Sequence, residues 1–268
     1  MYTMDFSKVD TIAGMKLLRG IGPFSETIPG CMAAVGNFDG VHLGHQSMIR
    51  SLNAQAKAMG KPSLVILFEP QPAEYFDRKH CPSRLTSFRD KLLRLQELQV
   101  NLVHCIPFNQ DLAKLDPTEF IQQILFQRLN VSYLMSGKDF RFGKHRKGDP
   151  ELLHQKFRAS HRVFKLFSDY QINDERVSST RIRKTLSMGN LSKARTLLGV
   201  TYHISRKVVH GQGQGQKWGI PTANFAMAET PLPLQGVFCV QAKLDGIGVI
   251  NGVANVGQRP TVGGKKIY

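Results

Sequence analysis

Residues 34–49 read AVGNFDGVHLGHQSMI. Gly36, Gly40 and Gly44 stand four apart, Asp39 lies among them, and His42 and His45 stand three apart. The run follows an apolar segment, CMAAV (31–35), and precedes a helical pattern, HQSMIRSLNAQAKAM. A glycine-rich passage from strand into helix aims backbone N–H groups and a helix N-terminus at one spot, which suits phosphate. At helical spacing His42 and His45 share a face of the first turn. Imidazole donors placed there hold phosphate oxygens and stabilise charge developing on a pentavalent phosphorus. Gly40 and Gly44 leave room for a nucleotide against the backbone. The glycine spacing does not fit G-x-G-x-x-G, no G-K-[ST] occurs, and H-E-x-x-H is absent, so the dinucleotide, Walker and zinc-peptidase patterns are excluded.

Outward from this loop, short β-rich runs alternate with helical patterns: 31–35, 63–68, 102–108, 131–136 and 162–167 are strand candidates. Helix starts are marked by Ser87 with Asp90 in capping-box spacing, by Asp116 with Pro117, and by Asp149 with Pro150. Alternation of this kind predicts a Rossmann-like α/β fold with a parallel sheet buried on both faces and ligands at the carboxyl ends of its strands. Beyond Arg183 one more helix, NLSKARTLLG, ends at Gly199, and from Tyr202 only β-rich runs and Gly/Pro turns remain. YHISRKVV, GVFCVQAK and IGVINGVANV predict antiparallel strands of a small barrel. The expected domains are 1–184 and 185–268.

Thirty-six Lys and Arg against twenty Asp and Glu leave a net charge of +16, which attracts anions. The basic residues are scattered, and aromatic–basic interleaving is confined to DFRFGKHR, so a nucleic-acid partner is not expected. The four cysteines, Cys31, Cys81, Cys105 and Cys239, form no C-x-x-C and read as buried small hydrophobes. No apolar run approaches the ~20 residues that cross a bilayer, so a soluble cytoplasmic protein without a membrane partner is expected. The segment before Met15 is left open between an extended start and a tail.

Two further stretches carry chemistry. VSSTRIR (177–183) places Ser179 and Thr180 beside Arg176, Arg181 and Arg183 at a helix start, where hydroxyls, backbone donors and guanidinium forks grip polyphosphate. In GIPTANF (219–225), Thr222 and Asn224 stand two apart and face one side of an extended strand, so both reach one Mg–ATP complex. A glycine loop containing Gly211 and Gly213 precedes them.

The G-x-F-D-x-x-H-x-G-H loop resembles the H-x-G-H nucleotidylyltransferase superfamily. With LFEPQPAEYF (67–76), SGKDFRFGKHRKGD (136–149), VSSTRIR and GIPTANF following in order, the chain resembles the bifunctional bacterial riboflavin kinase/FMN adenylyltransferases, or FAD synthetases. That resemblance covers nearly everything from Met15 onward. It implies an adenylyltransferase that joins ATP and FMN into FAD with release of pyrophosphate, followed by a domain that phosphorylates riboflavin with ATP and Mg²⁺. It further implies that Gly36, Asn37, Phe38, Asp39, Gly40 and Gly44 contact nucleotide beside His42 and His45. Ser179 and Thr180 would hold the β- and γ-phosphates, and Asp139 and Phe142 would meet FMN and ATP. Pro70, Pro72 and Phe76 would line the isoalloxazine pocket, and Thr222 and Asn224 would serve the kinase metal.

The chain departs from the pattern at Gln71 (usually histidine), Gln216 (usually arginine) and Val262 (usually phenylalanine). In the family the kinase base is a glutamate beyond G-x-R-P-T, and no residue follows Tyr268 here. The barrel is therefore expected to be truncated and the kinase half impaired. Another H-x-G-H transferase, acting on pantetheine phosphate, nicotinamide mononucleotide or a polyol phosphate, is the alternative, against which the P-T-A-N segment argues.

Overall fold

A computed structural model of the chain describes residues 9–12, 14–20, 30–210, 219, 222–225, 232–244 and 246–257. The backbone falls into two compact units, one of residues up to His80 with Phe88–Val177, the other of Cys81–Ser87 with residues from Ser178 onward.

In the first unit the strands are β1 (Val9–Ile12), β2 (Met15–Arg19), β3 (Cys31–Val35), β4 (Ser63–Glu69), β5 (Leu102–Pro107), β6 (Val131–Gly137) and β7 (Val163–Phe167). They form one sheet in the order β1-β2-β5-β4-β3-β6-β7. The five anticipated runs are all strands. Strands β2 to β7 pair in parallel, but β1 pairs antiparallel with β2, so the stretch around Met15 is a hairpin at the sheet edge. The expectation of a sheet buried on both faces holds at β3, which is buried throughout, and fails at the opposite edge, where three of the five β7 residues are exposed. An edge strand has a neighbour on one side only, and charge there keeps it from recruiting another chain.

Helices α1 (Leu43–Ala58), α2 (Pro72–Phe76), α3 (Phe88–Glu97), α4 (Gln110–Lys114), α5 (Pro117–Glu119, continued by a π-helix over Phe120–Arg128) and α6 (Pro150–Ala159) link these strands. Their starts follow the capping logic. Asp116 accepts from Thr118 N–H (2.8 Å), and Asp149 accepts from Leu152 N–H (2.9 Å). The strand pleat sends alternate residues to opposite faces. Ala33, Val35, Leu64, Ile66 and Leu134 pack with Ile124, Leu153 and Phe157, while Met32, Ala34, Val65, Leu67 and Met135 pack with Ile49, Leu52, Leu92 and Leu95. Each such side chain taken from water contributes about 1.5–3 kcal/mol.

From β3 the chain steps to β4 and then β5 on one side, and returns to β6 and β7 on the other. The order therefore reverses between β3 and β6, which opens a crevice beyond their carboxyl ends.

In the second unit α7 (Ser179–Ser187) and α8 (Leu191–Leu198) bury Ile182, Leu186, Ala194, Leu197 and Leu198. Helix α8 closes on Gly199, whose φ of 75° gives the left-handed end that glycine favours. Its described strands make two antiparallel ribbons, β10 (Val208–Val209) with β11 (Asn224–Phe225), and β12 (Gly236–Leu244) with β13 (Gly248–Val256). Of the anticipated strand YHISRKVV only Val208–Val209 is paired among the described residues, where β11 supplies the ladder partner. Nor are all four cysteines buried: Cys31 and Cys105 are, Cys81 is half-buried, and Cys239 is exposed because β12 is open on that face. Gln216, Glu229 and the R-P-T stretch with Val262 lie outside the described residues.

Fully buried His104 on β5 sets an acid limit on this fold. Its Nε2 lies 3.0 Å from Gly20 O, and burial holds its pKa down at about 4 from an ordinary 6.5. Below pH 6.5 the unfolded chain therefore takes up a proton that the folded chain refuses, and stability falls as pH drops. Acidification to pH 4 is expected to remove about 3 kcal/mol at this residue. Urea unfolding across that range measures the slope, and His104→Gln, which keeps a donor for Gly20 O, should flatten it.

Candidate active site

The loop 36–42 leaves β3 at the crevice in a conformation that ordinary residues avoid. Phe38, Gly40 and Val41 have φ of 46°, 82° and 38°. Glycine accepts this region freely, whereas a β-branched valine is held there only when its surroundings over-determine it. They do so here. Phe38 and Val41 are 1% and 0% exposed, Gln46 Nε2 donates to Val41 O (2.9 Å), and Val41 N–H donates to Phe38 O (3.2 Å). From α3 the ammonium of Lys91, itself 1% exposed, donates to Asn37 O (2.7 Å). Asp39 is buried within the same loop, and Asn37 is exposed.

The loop delivers the histidines as a pair. His42 is the N-cap of α1, and its Nδ1 accepts from His45 N–H (3.4 Å), which leaves Nε2 to carry the proton of a neutral ring. The two imidazoles stack with centroids 3.6 Å apart and planes 19° from parallel, and Phe38 lies 4.9 Å from His45 on a tilted ring. Burial, then His42, then Lys91 hold the His45 imidazole well below its ordinary pKa, so it is neutral around pH 7. Its Nδ1 is buried with no hydrogen-bond partner among the described residues. Gly44 has a second reason beyond room for a nucleotide: a Cβ there would stand 3.2 Å from His42 Cε1 and Nδ1 and 3.5 Å from Tyr170 Cβ. Glycine at 44 thus lets the His42 ring fold back over the helix start.

The SGKDF segment leaves β6 on the other side of the crevice. Asp139 is exposed and pairs with Arg176 Nη1 (2.5 Å), while Arg176 Nε binds Asp169 Oδ1 (2.9 Å) and Lys138 Nζ binds Asp169 Oδ2. Asp169 therefore orients two cations, a role that an isolated Asp in the linking stretch before β8 (Gln171–Ile172) and β9 (Glu175–Arg176) does not announce. Phe142 is buried against Phe120 (5.4 Å) and Phe140 (5.5 Å), so it forms wall rather than open surface. Beyond β4, Pro70 is exposed, Pro72 is half-buried at the start of α2, and the Phe76 ring is 66% exposed.

The chain passes from the first unit to the second between Val177 and Ser178, so Arg176 belongs to one, and Ser179, Thr180, Arg181 and Arg183 to the other. Ser178 caps α7 by accepting from Arg181 N–H (3.2 Å). Ser179 begins the helix half-buried, Thr180 is exposed, and Arg183 Nε donates to Ser83 O (2.5 Å). Asn224 lies on β11 half-buried and Thr222 is exposed two residues earlier, whereas Gly211 and Gly213 lie outside the described residues. Among the described residues no group of three or more His, Cys, Asp or Glu could hold a metal, and no helix is long and apolar enough to cross a membrane.

Two family models match the sequence, one described as FAD synthetase over residues 25–181 and one described as riboflavin kinase over residues 198–268. Similar curated proteins include the bifunctional riboflavin kinase/FMN adenylyltransferases of Haemophilus influenzae and Escherichia coli K12. The first is 39% identical over 253 residues (93% of this chain, 81% of the relative), and the second is 40% identical over 251 residues (93% and 80%). Among solved structures, one described as a macrolide-efflux protein from Streptococcus pneumoniae superposes with a TM-score of 0.75 at 27% identity, covering 90% of this chain and 79% of that one.

Lys91 is the residue that the sequence pattern hid, since one lysine in an amphipathic helix looks like solvated charge. Replacing it by methionine strands the Asn37 carbonyl, which is expected to cost about 1–3 kcal/mol in urea unfolding. Because the ammonium is one of the influences lowering the His45 pKa, Lys91→Met should raise that pKa, which an NMR titration of the imidazole reads directly.

Proposed function

The chain belongs to the family of bifunctional riboflavin kinase/FMN adenylyltransferases, and from that membership and the switch-point crevice we propose how its residues divide the work. The family reaction is FAD synthesis: AMP passes from ATP to FMN and pyrophosphate leaves. An FMN phosphate oxygen attacks the ATP α-phosphorus, the bond to the β-phosphate oxygen breaks, and both electrons of that bond leave with pyrophosphate. A phosphate monoester is already nucleophilic near neutral pH, so positioning and charge stabilisation carry the step.

The stacked pair does the stabilising. His42 presents an Nε2–H donor, and His45, neutral with a buried unpaired Nδ1, finds its partner in the polyphosphate. The observation that carries this reading is that pair, fixed by a strained and fully buttressed loop at the β3 exit. Gly36, Asn37, Phe38, Asp39, Gly40 and Gly44 shape the nucleotide contact. Arg176, Ser179, Thr180, Arg181 and Arg183 grip the polyphosphate, and Asp139 with Phe142 borders both substrates. Pro70, Pro72 and Phe76 form the slot for the isoalloxazine.

The residues 1–184 are assigned to this reaction and 185–268 to riboflavin phosphorylation, a division supported by the break between the two family matches. Thr222 and Asn224 offer a hydroxyl and an amide oxygen two residues apart, the hard donors that Mg²⁺ takes alongside phosphate oxygens and water. When bound there, Mg²⁺ neutralises phosphate charge on ATP. The free thiols suit a reducing cytoplasm.

Incubation of the protein with Mg-ATP and FMN, followed by chromatography of the flavins, should yield FAD. His42→Ala with His45→Ala should lower that yield by about 100- to 1,000-fold or more, and unchanged synthesis would remove the assignment. With riboflavin in place of FMN, whatever FMN the kinase half forms should fall on Thr222→Ala, while FAD formation from FMN stays intact.

A further inference from the structure

Gln71 stands at the N-cap of α2 with its backbone engaged and its side-chain Nε2 open. Its backbone N–H donates to Glu74 Oε2 (3.0 Å), and its backbone oxygen accepts from Glu74 N–H (2.9 Å). Those two bonds fix the residue at the helix start and leave its side-chain amide to a partner elsewhere. The residue is 7% exposed, and Nε2 is buried without a hydrogen-bond partner among the described residues. An unpaired buried donor is destabilising in the free protein. Within a segment flanked by Pro70 and Pro72, it therefore calls for an acceptor brought from outside.

The surroundings define that acceptor. Phe108, just past β5, donates its N–H to Glu69 O (3.0 Å), which draws its ring to the α2 start. Tyr75, Phe76 and Phe108 lie edge to face at 5.3 Å (Tyr75–Phe76), 5.3 Å (Tyr75–Phe108) and 5.7 Å (Phe76–Phe108), and Tyr75 and Phe76 remain 39% and 66% exposed. Exposed aromatic carbon beside a buried N–H donor fits a flat ring that is apolar at one end and carries carbonyl oxygens at the other. Among the reactants, isoalloxazine has that shape, with a dimethylbenzene end and a pyrimidine end bearing two carbonyls. Adenine has no carbonyl.

We propose that Gln71 Nε2 donates to a pyrimidine-end carbonyl oxygen of FMN and so selects the flavin that the crevice accepts. This rests on the assignment of the Pro70–Phe76 slot to flavin. The test compares FMN with 2-thio-FMN and 4-thio-FMN, whose sulfur accepts hydrogen bonds weakly, by titration calorimetry with ATP as a control. The unsubstituted protein should bind one thio-flavin about tenfold more weakly than FMN. Gln71→Met should bind FMN about tenfold more weakly, stop distinguishing it from that thio-flavin, and keep its ATP affinity. Gln71→Glu, which keeps the side chain's length and shape but no N–H, should lose the same discrimination. Unchanged FMN affinity in both variants overturns the proposal, as does discrimination that persists in them or an equal loss of ATP. Failure of the unsubstituted protein to bind FMN would instead remove the flavin assignment of the slot.

Discussion

The Lys91 ammonium on the Asn37 carbonyl is the contact around which the site is built. Left-handed backbone at Phe38 and Val41 costs on the order of 1–3 kcal/mol per residue, and a loop free to relax would release it. Relaxation would unstack the imidazoles, because His42 reaches His45 only from the N-cap geometry that the loop imposes. A buried lysine is itself unfavourable unless hydrogen-bonded. The carbonyl and the ammonium therefore stabilise one another, and the helix that buries Lys91 against the sheet holds the loop through it. The positive charge also adds to burial and to His42 in lowering the His45 pKa, so one side chain braces the loop and favours the neutral imidazole.

Much of this was legible because local chemistry and global fold agree. The run CMAAV has no polar residue and becomes a strand buried at every position, while Asp116–Pro117 and Asp149–Pro150 mark helix starts regardless of tertiary context. The G-N-F-D-G-V-H-L-G-H run was readable because few folding reasons place two histidines and three glycines together. What stayed hidden depends on partners far along the chain. Lys91 sits 54 residues from Asn37, and Asp169 has no meaning until β6 and the β8–β9 ribbon bring Lys138 and Arg176 to it. Val9–Ile12 is too short and too polar to declare a strand, and it becomes one by pairing with Met15–Arg19. YHISRKVV shows the reverse case, for its alternation satisfies a strand pattern over eight residues, and among the described residues two of them have a ladder partner.

The charge distribution follows the same division. A net charge of +16 draws polyanions toward the protein from a distance, yet it places no phosphate. Cations held in a fixed geometry are found in one network, where Arg176 spans Asp139 and Asp169, and Asp169 also binds Lys138. In such a network the carboxylates lower the side-chain entropy lost when the cations meet a ligand, since the guanidinium is already ordered. On the reading proposed here the scattered surface charges supply the encounter, and this small acidic-basic cluster supplies the register.

Buried polar atoms without partners separate structural from functional placement only when read with topology. Asn53 Oδ1 is as unpaired as His45 Nδ1 and Gln71 Nε2, so the lack of a partner does not by itself mark a site. Asn53 lies well inside α1, where its Nδ2 already donates to Leu98 O (2.7 Å) and anchors the helix to the segment after α3. His45 and Gln71 instead sit on the segments leaving the carboxyl ends of β3 and β4, adjacent strands beside the point where the sheet order reverses. Backbone donors, helix starts and incoming ligands converge there in a parallel sheet. A buried donor or acceptor left open at that edge is one that the fold has oriented and then reserved. On the reading proposed here its partner is the substrate, because the crevice beyond those strand ends is where an incoming ligand meets the chain.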